Sequence, residues 1–300
     1  MRSRWINVIF VSVFLCFAVL SGCRNGEETV ASAKIFAAVS VAPHAFLLEK
    51  IGGERIAVEV LVPAGKEPHE YQPTPEKVAA FSRSKVFFRT GMPFEEMLLE
   101  KLKTLSSAQK IIDLREGIQL RPLELHHHEH EHNETDPHIW FAPSVLKKQV
   151  ETIEKTLCGI DPDGAEYYQK NAAAMLEEIE TTRKKIEAVL QPVKEETVFV
   201  FHPSYGYFCD EFGLRQIAVE YEGKSPKPKQ LAALIQEAKK LTTETHRKPL
   251  VFVQPEFNKE PAEALAEAVG GVLLTHSCLE YNVLQSMERF AEYCAAKQNK

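Results

Sequence analysis

The sequence predicts an α/β fold in two lobes, each with a parallel sheet flanked by helices, and one long helix that joins the lobes. Apolar runs of strand length alternate with helical patterns in two series, one ending near Leu114 and the other beginning near Val198. Such alternation is typical of parallel sheets with right-handed crossovers. A segment rich in Ala, Glu, Lys and Leu separates the two series and predicts the joining helix.

The first series predicts four strands and two helices. Apolar residues alternate along 56–62, as expected for a strand with one buried face. Thr74 is a suitable N-cap, and Pro75 suits the first position of the helix that follows. The four strands are predicted at 35–41, 56–62, 85–89 and 111–114, and the second helix at 94–105.

The joining helix is predicted to begin at Asp161, a good N-cap, followed by Pro162 at the first helical position. Residues 165–190 carry strong helix formers, and Pro192 ends the run. About 30 residues at a rise of ~1.5 Å give roughly 45 Å, more than the width of one lobe. We therefore expect this helix to brace both lobes and to limit how far they swing apart.

The second series predicts the other lobe. Its strands are predicted at 198–201, 214–219, 250–253 and 272–274, and its helices at 204–212, 228–241, 260–269 and 283–296. The predicted organisation is therefore an N-terminal lobe at 34–160, a connecting helix at 161–191 and a C-terminal lobe at 192–300.

The first 22 residues predict a cleaved export signal. Arg2 and Arg4 precede an apolar run at 8–20, which is too short to span a bilayer comfortably. The run ends in Leu-Ser-Gly-Cys, which resembles the lipobox of bacterial lipoproteins, so Cys23 is expected to carry the lipid. A chance cysteine after an ordinary signal peptide is the alternative. Residues 23–33 are mostly polar or small and predict a flexible tether.

Charge and cysteine content fit an exported protein. Removing the leader leaves 300 − 22 = 278 residues and, with two arginines lost, moves the formal charge from −6 to −8. A mildly acidic chain without a basic patch argues against nucleic-acid binding. The remaining cysteines are Cys158, Cys209, Cys278 and Cys294. The sequence does not choose between a disulfide in the C-terminal half and free buried thiols.

Four loop histidines are candidate ligands of one metal ion. They are His69 in Glu-Pro-His-Glu-Tyr, His138 in Asp-Pro-His-Ile-Trp, His202 in Phe-His-Pro-Ser-Tyr and His276 in Leu-Thr-His-Ser. Neutral imidazole suits Zn²⁺, and three of these loops follow predicted strands, where open α/β sheets bind ligands. Asp136 is placed to orient the ring of His138. The sequence therefore predicts a metal site assembled from distant parts of the chain.

A histidine-rich segment lies between the two series. Its histidines are His126, His127, His128, His130 and His132. The segment lacks apolar periodicity and predicts a mobile loop that attracts metal loosely. Part of it matches the H-E-x-x-H pattern of zinc proteases, but that motif requires a helix, which this low-complexity stretch does not favour. Zinc collection is the favoured role, and a tolerated filler is the alternative.

The motifs around His69, His138 and His202 together resemble those of the metal-binding lipoproteins of bacterial ABC importers, in the ZnuA/TroA-like group. The resemblance covers essentially the whole mature chain. It implies two α/β lobes on one rigid helix, metal bound by those three histidines, and the His-rich loop of the zinc-specific members. It also implies an extracytoplasmic monomer, lipid-anchored to the cell membrane or periplasmic, that captures Zn²⁺ for an ABC permease and its ATPase.

One position departs from the family pattern. The family usually has an Asp ligand soon after the last strand, where this chain reads Thr275-His276-Ser277-Cys278. His276 is expected to take that place, and Cys278, Glu280 or a water are the alternatives. Manganese favours carboxylate oxygens, so an imidazole-rich set favours Zn²⁺, with Mn²⁺ as the alternative ion.

Two further functions compete with transport. A zinc hydrolase would need a general base, for which Glu70 is the nearby candidate. An adhesin is the second alternative. We expect a binding protein and not an enzyme. The chain contains no Walker loop and no mature membrane-spanning run, so the permease and ATPase are expected to be separate chains.

Overall fold

The computed structural model describes residues 34–105, 109–123, 135–193, 195–221 and 224–296. The predicted export signal, Cys23, the tether and the histidine-rich segment 126–132 lie outside the described residues. The described ranges all lie in one compact unit, residues 33–300. Within them, none of the helices is both long enough and apolar enough to cross a bilayer.

Two parallel sheets of four strands each form the framework. The first contains β1 (Ile35–Val39), β2 (Ile56–Val60), β3 (Val86–Arg89) and β4 (Lys110–Asp113). The second contains β5 (Thr197–Val200), β6 (Arg215–Ala218), β7 (Leu250–Val253) and β8 (Val272–Thr275). Their strand orders are β2-β1-β3-β4 and β6-β5-β7-β8, so the two lobes repeat one topology.

Helices flank both sheets. They are α1 (Ala42–Gly52), α2 (Pro75–Phe81), α3 (Pro93–Leu105), α4 (Pro143–Ile160), α5 (Ala165–Leu190), α6 (Gly206–Phe212), α7 (Pro228–Thr245), α8 (Glu260–Val269) and α9 (Val283–Ala295). The predicted fold class is confirmed. Helix α5 covers the predicted run of helix formers, but it begins at Ala165 and not at Asp161, because residues Pro162–Gly164 form a separate 3₁₀ turn. The carboxylate of Asp161 accepts from Arg55 and Tyr168 instead of capping the helix. The limits of the two predicted lobes stay a prediction.

Helices α1 and α4 were not among the predicted elements. Each has a proline in its first turn, Pro43 or Pro143. In α4 the buried residues recur at helical spacing, which is the signal that the sequence offered. They are Val145, Leu146, Gln149, Val150, Ile153, Thr156 and Leu157.

Helix α5 is bonded to both lobes. Its 26 residues give a length of about 39 Å at ~1.5 Å per residue. Near its start, the Asn171 side chain donates to the carbonyl of Ile51 in α1 over 3.0 Å. Near its end, the Thr182 hydroxyl donates to the carboxylate of Glu288 in α9 over 3.1 Å. The helix therefore ties the two lobes together along its length.

The apolar core is shared between the lobes. One hydrophobic cluster includes Val39 of the first sheet, Ile179 of α5 and Val200 of the second sheet. A smaller cluster lies between the second sheet and helices α7 and α8, and includes Phe199 and Leu265. Opening the lobes widely would expose part of the larger cluster to water, which burial of apolar surface opposes.

The cysteines follow the free-thiol alternative. Cys158, Cys278 and Cys294 carry free thiols, which excludes every pairing among these three. Cys278 and Cys294 are buried, and burial raises the pKa of the Cys278 thiol to about 12. A disulfide therefore does not contribute to the fold through these residues.

Candidate metal centre

The loop that carries His69 is fixed by its own side chains. Both backbone N–H groups of His69 and Glu70 donate to the carboxylate of Glu67, over 2.7 and 2.6 Å. The N–H of Tyr71 donates to the carbonyl of Pro68 over 3.3 Å. These bonds form a compact turn after β2, and it presents the partly buried His69 ring toward the other lobe.

His138 is oriented by a buried carboxylate, as the sequence predicted. One oxygen of Asp136 accepts from the His138 backbone N–H over 2.9 Å and lies 2.7 Å from ring Nδ1. The other oxygen accepts from Arg121 over 3.1 Å. Because the carboxylate is an acceptor, the proton of the neutral ring belongs on Nδ1, and Nε2 is left with its lone pair.

His202 has an equivalent partner from its own sheet. It lies two residues after β5, and its Nδ1 is 2.9 Å from a carboxylate oxygen of Glu220, which lies two residues after β6. The Gln254 side chain accepts from the His202 N–H over 3.2 Å and donates to its carbonyl over 2.7 Å. His202 is thus held at both backbone and ring, again with Nε2 free of the carboxylate.

The three rings meet at their Nε2 atoms. Nε2 of His138 lies 3.1 Å from Nε2 of His69 and 3.0 Å from Nε2 of His202. Tetrahedral zinc with Zn–N bonds of about 2.0–2.1 Å requires nitrogens about 3.3 Å apart. The ligand atoms of all three lie within 4.8 Å of one another, and no other such group occurs among the described residues. We call this set the histidine triad.

Burial favours the neutral form of the triad. Burial, together with the nearby His202 and His138, lowers the pKa of His69 well below its usual value of 6.5. Burial also lowers the pKa of His138, although Asp136 acts in the opposite direction. Metal binding requires unprotonated nitrogen, so these shifts keep the lone pairs available near neutral pH.

Comparison with known proteins identifies the family. Residues 38–291 match the ZnuA family model, described as zinc-uptake complex component A, periplasmic. The chain belongs to the ZnuA family. This finding agrees with the resemblance that the motifs around the triad indicated.

Relatives of this chain carry names that describe zinc or manganese binding or uptake. The chain is 31% identical over 263 residues to the manganese-binding lipoprotein MntA of Halalkalibacterium halodurans, covering 84% of this chain and 83% of that protein. It is 26% identical to the high-affinity zinc uptake system protein ZnuA of Bacillus subtilis, covering 90% and 87%. It is 28% identical to the zinc-binding lipoprotein AdcA of Streptococcus pneumoniae, covering 93% of this chain but only 54% of AdcA.

Solved structures of the family share the fold. A crystal structure of ZnuA superposes with a TM-score of 0.80 at 35% identity, covering 89% of this chain and 100% of that one. A ZnuA deletion mutant with zinc bound superposes with a TM-score of 0.79, also at 35% identity. The two-lobed architecture is therefore that of ZnuA.

The structure does not bring His276 to the triad, which corrects the expectation that it replaces the family's fourth ligand. Its Nε2 donates to the carbonyl of Ser286 over 2.9 Å, and its Nδ1 lies 3.1 Å from the hydroxyl of Tyr205. Both ring nitrogens are therefore engaged inside the C-terminal lobe. Burial lowers the pKa of His276 to about 4, so the ring is neutral and structural.

Glu280 and Cys278, which were also candidates for the fourth ligand, have different surroundings. The carboxylate of Glu280 is paired with Arg289. It lines a cleft between Pro63 of the first lobe and Leu279 of the second, which we call the outer cleft. Cys278 lines the same cavity as His138 and His202, but its thiol is held in the protonated form by burial. Neither residue therefore offers a free anionic donor beside the triad.

Two residues that hold His202 were missed by sequence reasoning. They are Glu220, which faces its ring, and Gln254, which holds its backbone. For Glu220 a signal was available, because a carboxylate two residues beyond a parallel strand lies at the ligand edge of the sheet. For Gln254 the decisive contacts come from packing between neighbouring strand ends.

The described residues that flank the histidine-rich segment lie close to the triad. The two sides of its base meet in an antiparallel bridge between Pro122 and Thr135. On one side Arg121 bonds to Asp136, the residue that orients His138. The segment therefore begins and ends within a few residues of the groups that hold the metal-facing ring.

Proposed function

We propose that this protein captures Zn²⁺ between its lobes and delivers it to an ABC permease for import. The observation that carries this proposal is the 3.0 Å separation of Nε2 in His138 and His202, each with Nδ1 facing a carboxylate. Two lone pairs at this distance repel unless a cation or proton lies between them. The lowered pKa of His138 weighs against a proton, and a dication shared with His69 would satisfy all three nitrogens.

Zinc is the proposed cargo because the converging donors are imidazole nitrogens. Such donors suit Zn²⁺, whereas Mn²⁺ favours sites richer in carboxylate oxygen. Manganese remains the alternative ion, since the MntA relative is described as manganese-binding. Competition between the two ions for one protein decides the question directly.

Capture is favoured over catalysis. Glu70, the candidate general base for a hydrolase, is exposed to solvent, and the ZnuA family is a family of transport components. The superposed laminin-binding adhesin of Streptococcus agalactiae is only 22% identical, and it supports the fold alone.

Cellular placement follows from the leader and the relatives. We infer that Cys23 carries a lipid anchor, that the protein is an extracytoplasmic monomer, and that a separate permease and ATPase complete the importer. MntA and AdcA are described as lipoproteins, which supports this placement. Labelled fatty acid should enter the wild-type chain in cells and not the Cys23→Ala variant; equal labelling would contradict the anchor.

The histidine-rich segment is proposed to collect zinc for the triad. Deleting residues 126–132 should remove weak additional zinc sites and leave the tight site intact. Equilibrium dialysis at low and high zinc measures both classes of site. Unchanged stoichiometry at high zinc would show that the segment is a filler.

The binding proposal is tested by competitive calorimetry with Zn²⁺ and Mn²⁺ on the chain without its leader. His69→Ala and His138→Ala should each weaken zinc binding by orders of magnitude, because each removes a ligand. Undiminished binding in both variants would refute the triad as the site. Delivery is tested separately, by zinc uptake in cells that lack the gene.

A further inference from the structure

The turn after β7 encloses His202. Gln254 holds the His202 backbone at both its N–H and its carbonyl. Phe257 stacks on the imidazole ring, with centroids 5.0 Å apart and planes inclined by 21°. The N–H of Phe257 donates to the Gln254 carbonyl over 3.1 Å, which closes the turn. Glu256 lies inside this turn, so its backbone is fixed beside the triad.

The Glu256 carboxylate is only half satisfied. One oxygen accepts from the Ser277 hydroxyl over 2.6 Å. The other is buried and has no hydrogen-bond partner among the described residues. A buried carboxylate oxygen without a partner is unfavourable, since it loses its hydration and gains nothing in return. A cation is the partner that a carboxylate in this position lacks.

Glu256 borders the metal site and its entrance. It lines a small cavity together with His138 and His202. It also lines the outer cleft, where Pro63 of the first lobe faces Leu279 of the second. An ion that enters from this cleft toward the triad therefore passes the Glu256 carboxylate.

We propose that Glu256 supplies the fourth donor, an oxygen, to the ion held by the histidine triad. The proposal rests on the proposed function. Glu256 is outside the group whose ligand atoms lie within 4.8 Å of one another, so its side chain must rotate from Ser277 toward the ion. One negative charge at the site would offset half of the charge of a divalent cation.

Glu256 follows a different strand from the one after which the fourth ligand was expected. The family pattern has a carboxylate after the last strand, and here the carboxylate of that region is Glu280, which is paired with Arg289. Glu256 follows β7, the strand between β5 and β8. A central strand ends closer to the crevice than an edge strand does, which makes it the better source of a ligand.

The test compares Glu256→Gln with Glu280→Gln, a matched loss of a carboxylate from the outer cleft. Glu256→Gln should weaken Zn²⁺ binding by about tenfold or more, because even residues that only orient ligands typically contribute that much. Glu280→Gln should bind zinc as the wild type does. Thermal unfolding without metal checks that both variants fold.

A spectroscopic readout separates ligation from a general charge effect. With Co²⁺ in place of zinc, the visible absorption bands report the donor set, and they should shift in Glu256→Gln and not in Glu280→Gln. Unchanged bands together with unchanged zinc affinity in Glu256→Gln would overturn this inference. If His69→Ala and His138→Ala also bound zinc normally, the proposed function itself would fail.

Discussion

His202 and His276 each follow a strand of the same sheet, yet only His202 joins the triad. Each follows a parallel strand, β5 or β8, and each is buried. Glu220 takes Nδ1 of His202 and leaves Nε2 facing the other lobe. The Ser286 carbonyl takes Nε2 of His276 and turns that ring into its own lobe. A position at the end of a strand is therefore not sufficient to make a histidine a ligand. The hydrogen-bond partner of one ring nitrogen decides where the other ring nitrogen points.

The place of each strand in the sheet adds to this difference. In the order β6-β5-β7-β8, the chain reverses its direction of winding between β5 and β7, and ligands bind in the crevice at such a point. His202 follows β5 at the crevice. His276 follows β8 at the sheet edge, where helix α9 covers it through Ser286.

The largest expected effect comes from removing the imidazole ring of each histidine. His202→Ala should weaken zinc binding by orders of magnitude, since it deletes a ligand, while His276→Ala should leave the affinity within a factor of about three, because its ring contacts no triad atom. Competitive calorimetry measures both. Equal losses of zinc affinity in the two variants would contradict this explanation. They would show that any histidine at a strand end contributes to zinc binding, whatever hydrogen bonds its ring makes.

The role of Glu220 is the next test. Glu220→Ala should lower zinc affinity by about 10–100-fold, because Nδ1 of His202 loses the acceptor that fixes its proton. Asp136→Ala, which acts on His138 in the same way, provides the matched case. An unaltered affinity in both variants would mean that the carboxylates do not control the metal-facing nitrogen.

The two alanine variants should rank in the opposite order for stability: His276→Ala should destabilise the protein more than His202→Ala does. In the presence of chelator, His276→Ala should lower the free energy of unfolding by about 3 kcal/mol, because it removes the buried hydrogen bonds of the ring to Ser286 and Tyr205 and opens a cavity. His202→Ala should cost less, since it also removes a repulsive contact with His138. Urea unfolding measures both variants; a larger loss for His202→Ala would contradict the structural role of His276.

The smallest expected effect is on the pH dependence of the free energy of unfolding. The folded-state pKa of His276 is about 4, below an unfolded value near 6.5, because burial and Arg289 disfavour the charged ring more than Ser286 favours it. The unfolded chain therefore takes up a proton first as pH falls, and stability drops between about pH 6.5 and 4. The loss from pH 7 to 5 should be about 2 kcal/mol from this residue. His276→Asn should flatten the urea-unfolding profile over that range, and an identical slope would exclude His276 as the cause.

The triad was predictable because its loops carry distinctive neighbours. Pro68 before His69, Asp136 before His138 and the strand before His202 mark each histidine within a few residues of sequence, and such local signals can be recognised without the structure. The long helix was predictable for the same reason, since it is rich in helix formers and contains neither Gly nor Pro from Ala165 to Leu190. These are features that a short window of sequence contains in full.

The remaining features depend on contacts between distant segments. The bond between His276 and Ser286 exists only because α9 packs over the end of β8. The contact between Glu220 and His202 joins the ends of two neighbouring strands, and the position of Glu256 depends on how its turn packs on His202. Tertiary packing sets these contacts, so sequence patterns alone placed His276 in the site and overlooked Glu220 and Glu256.

The two-ended attachment of α5 has a consequence for ion selection by size. Since Asn171 and Thr182 fasten this helix to opposite lobes, the rings that face each other across the seam resist separation. An ion such as Ca²⁺, with bonds of about 2.3–2.6 Å to its donors, would have to push those rings apart against the fastening, whereas zinc bonds are about 2.0–2.1 Å. We therefore expect the attachment of α5, although it is remote from the donors, to favour ions of small radius.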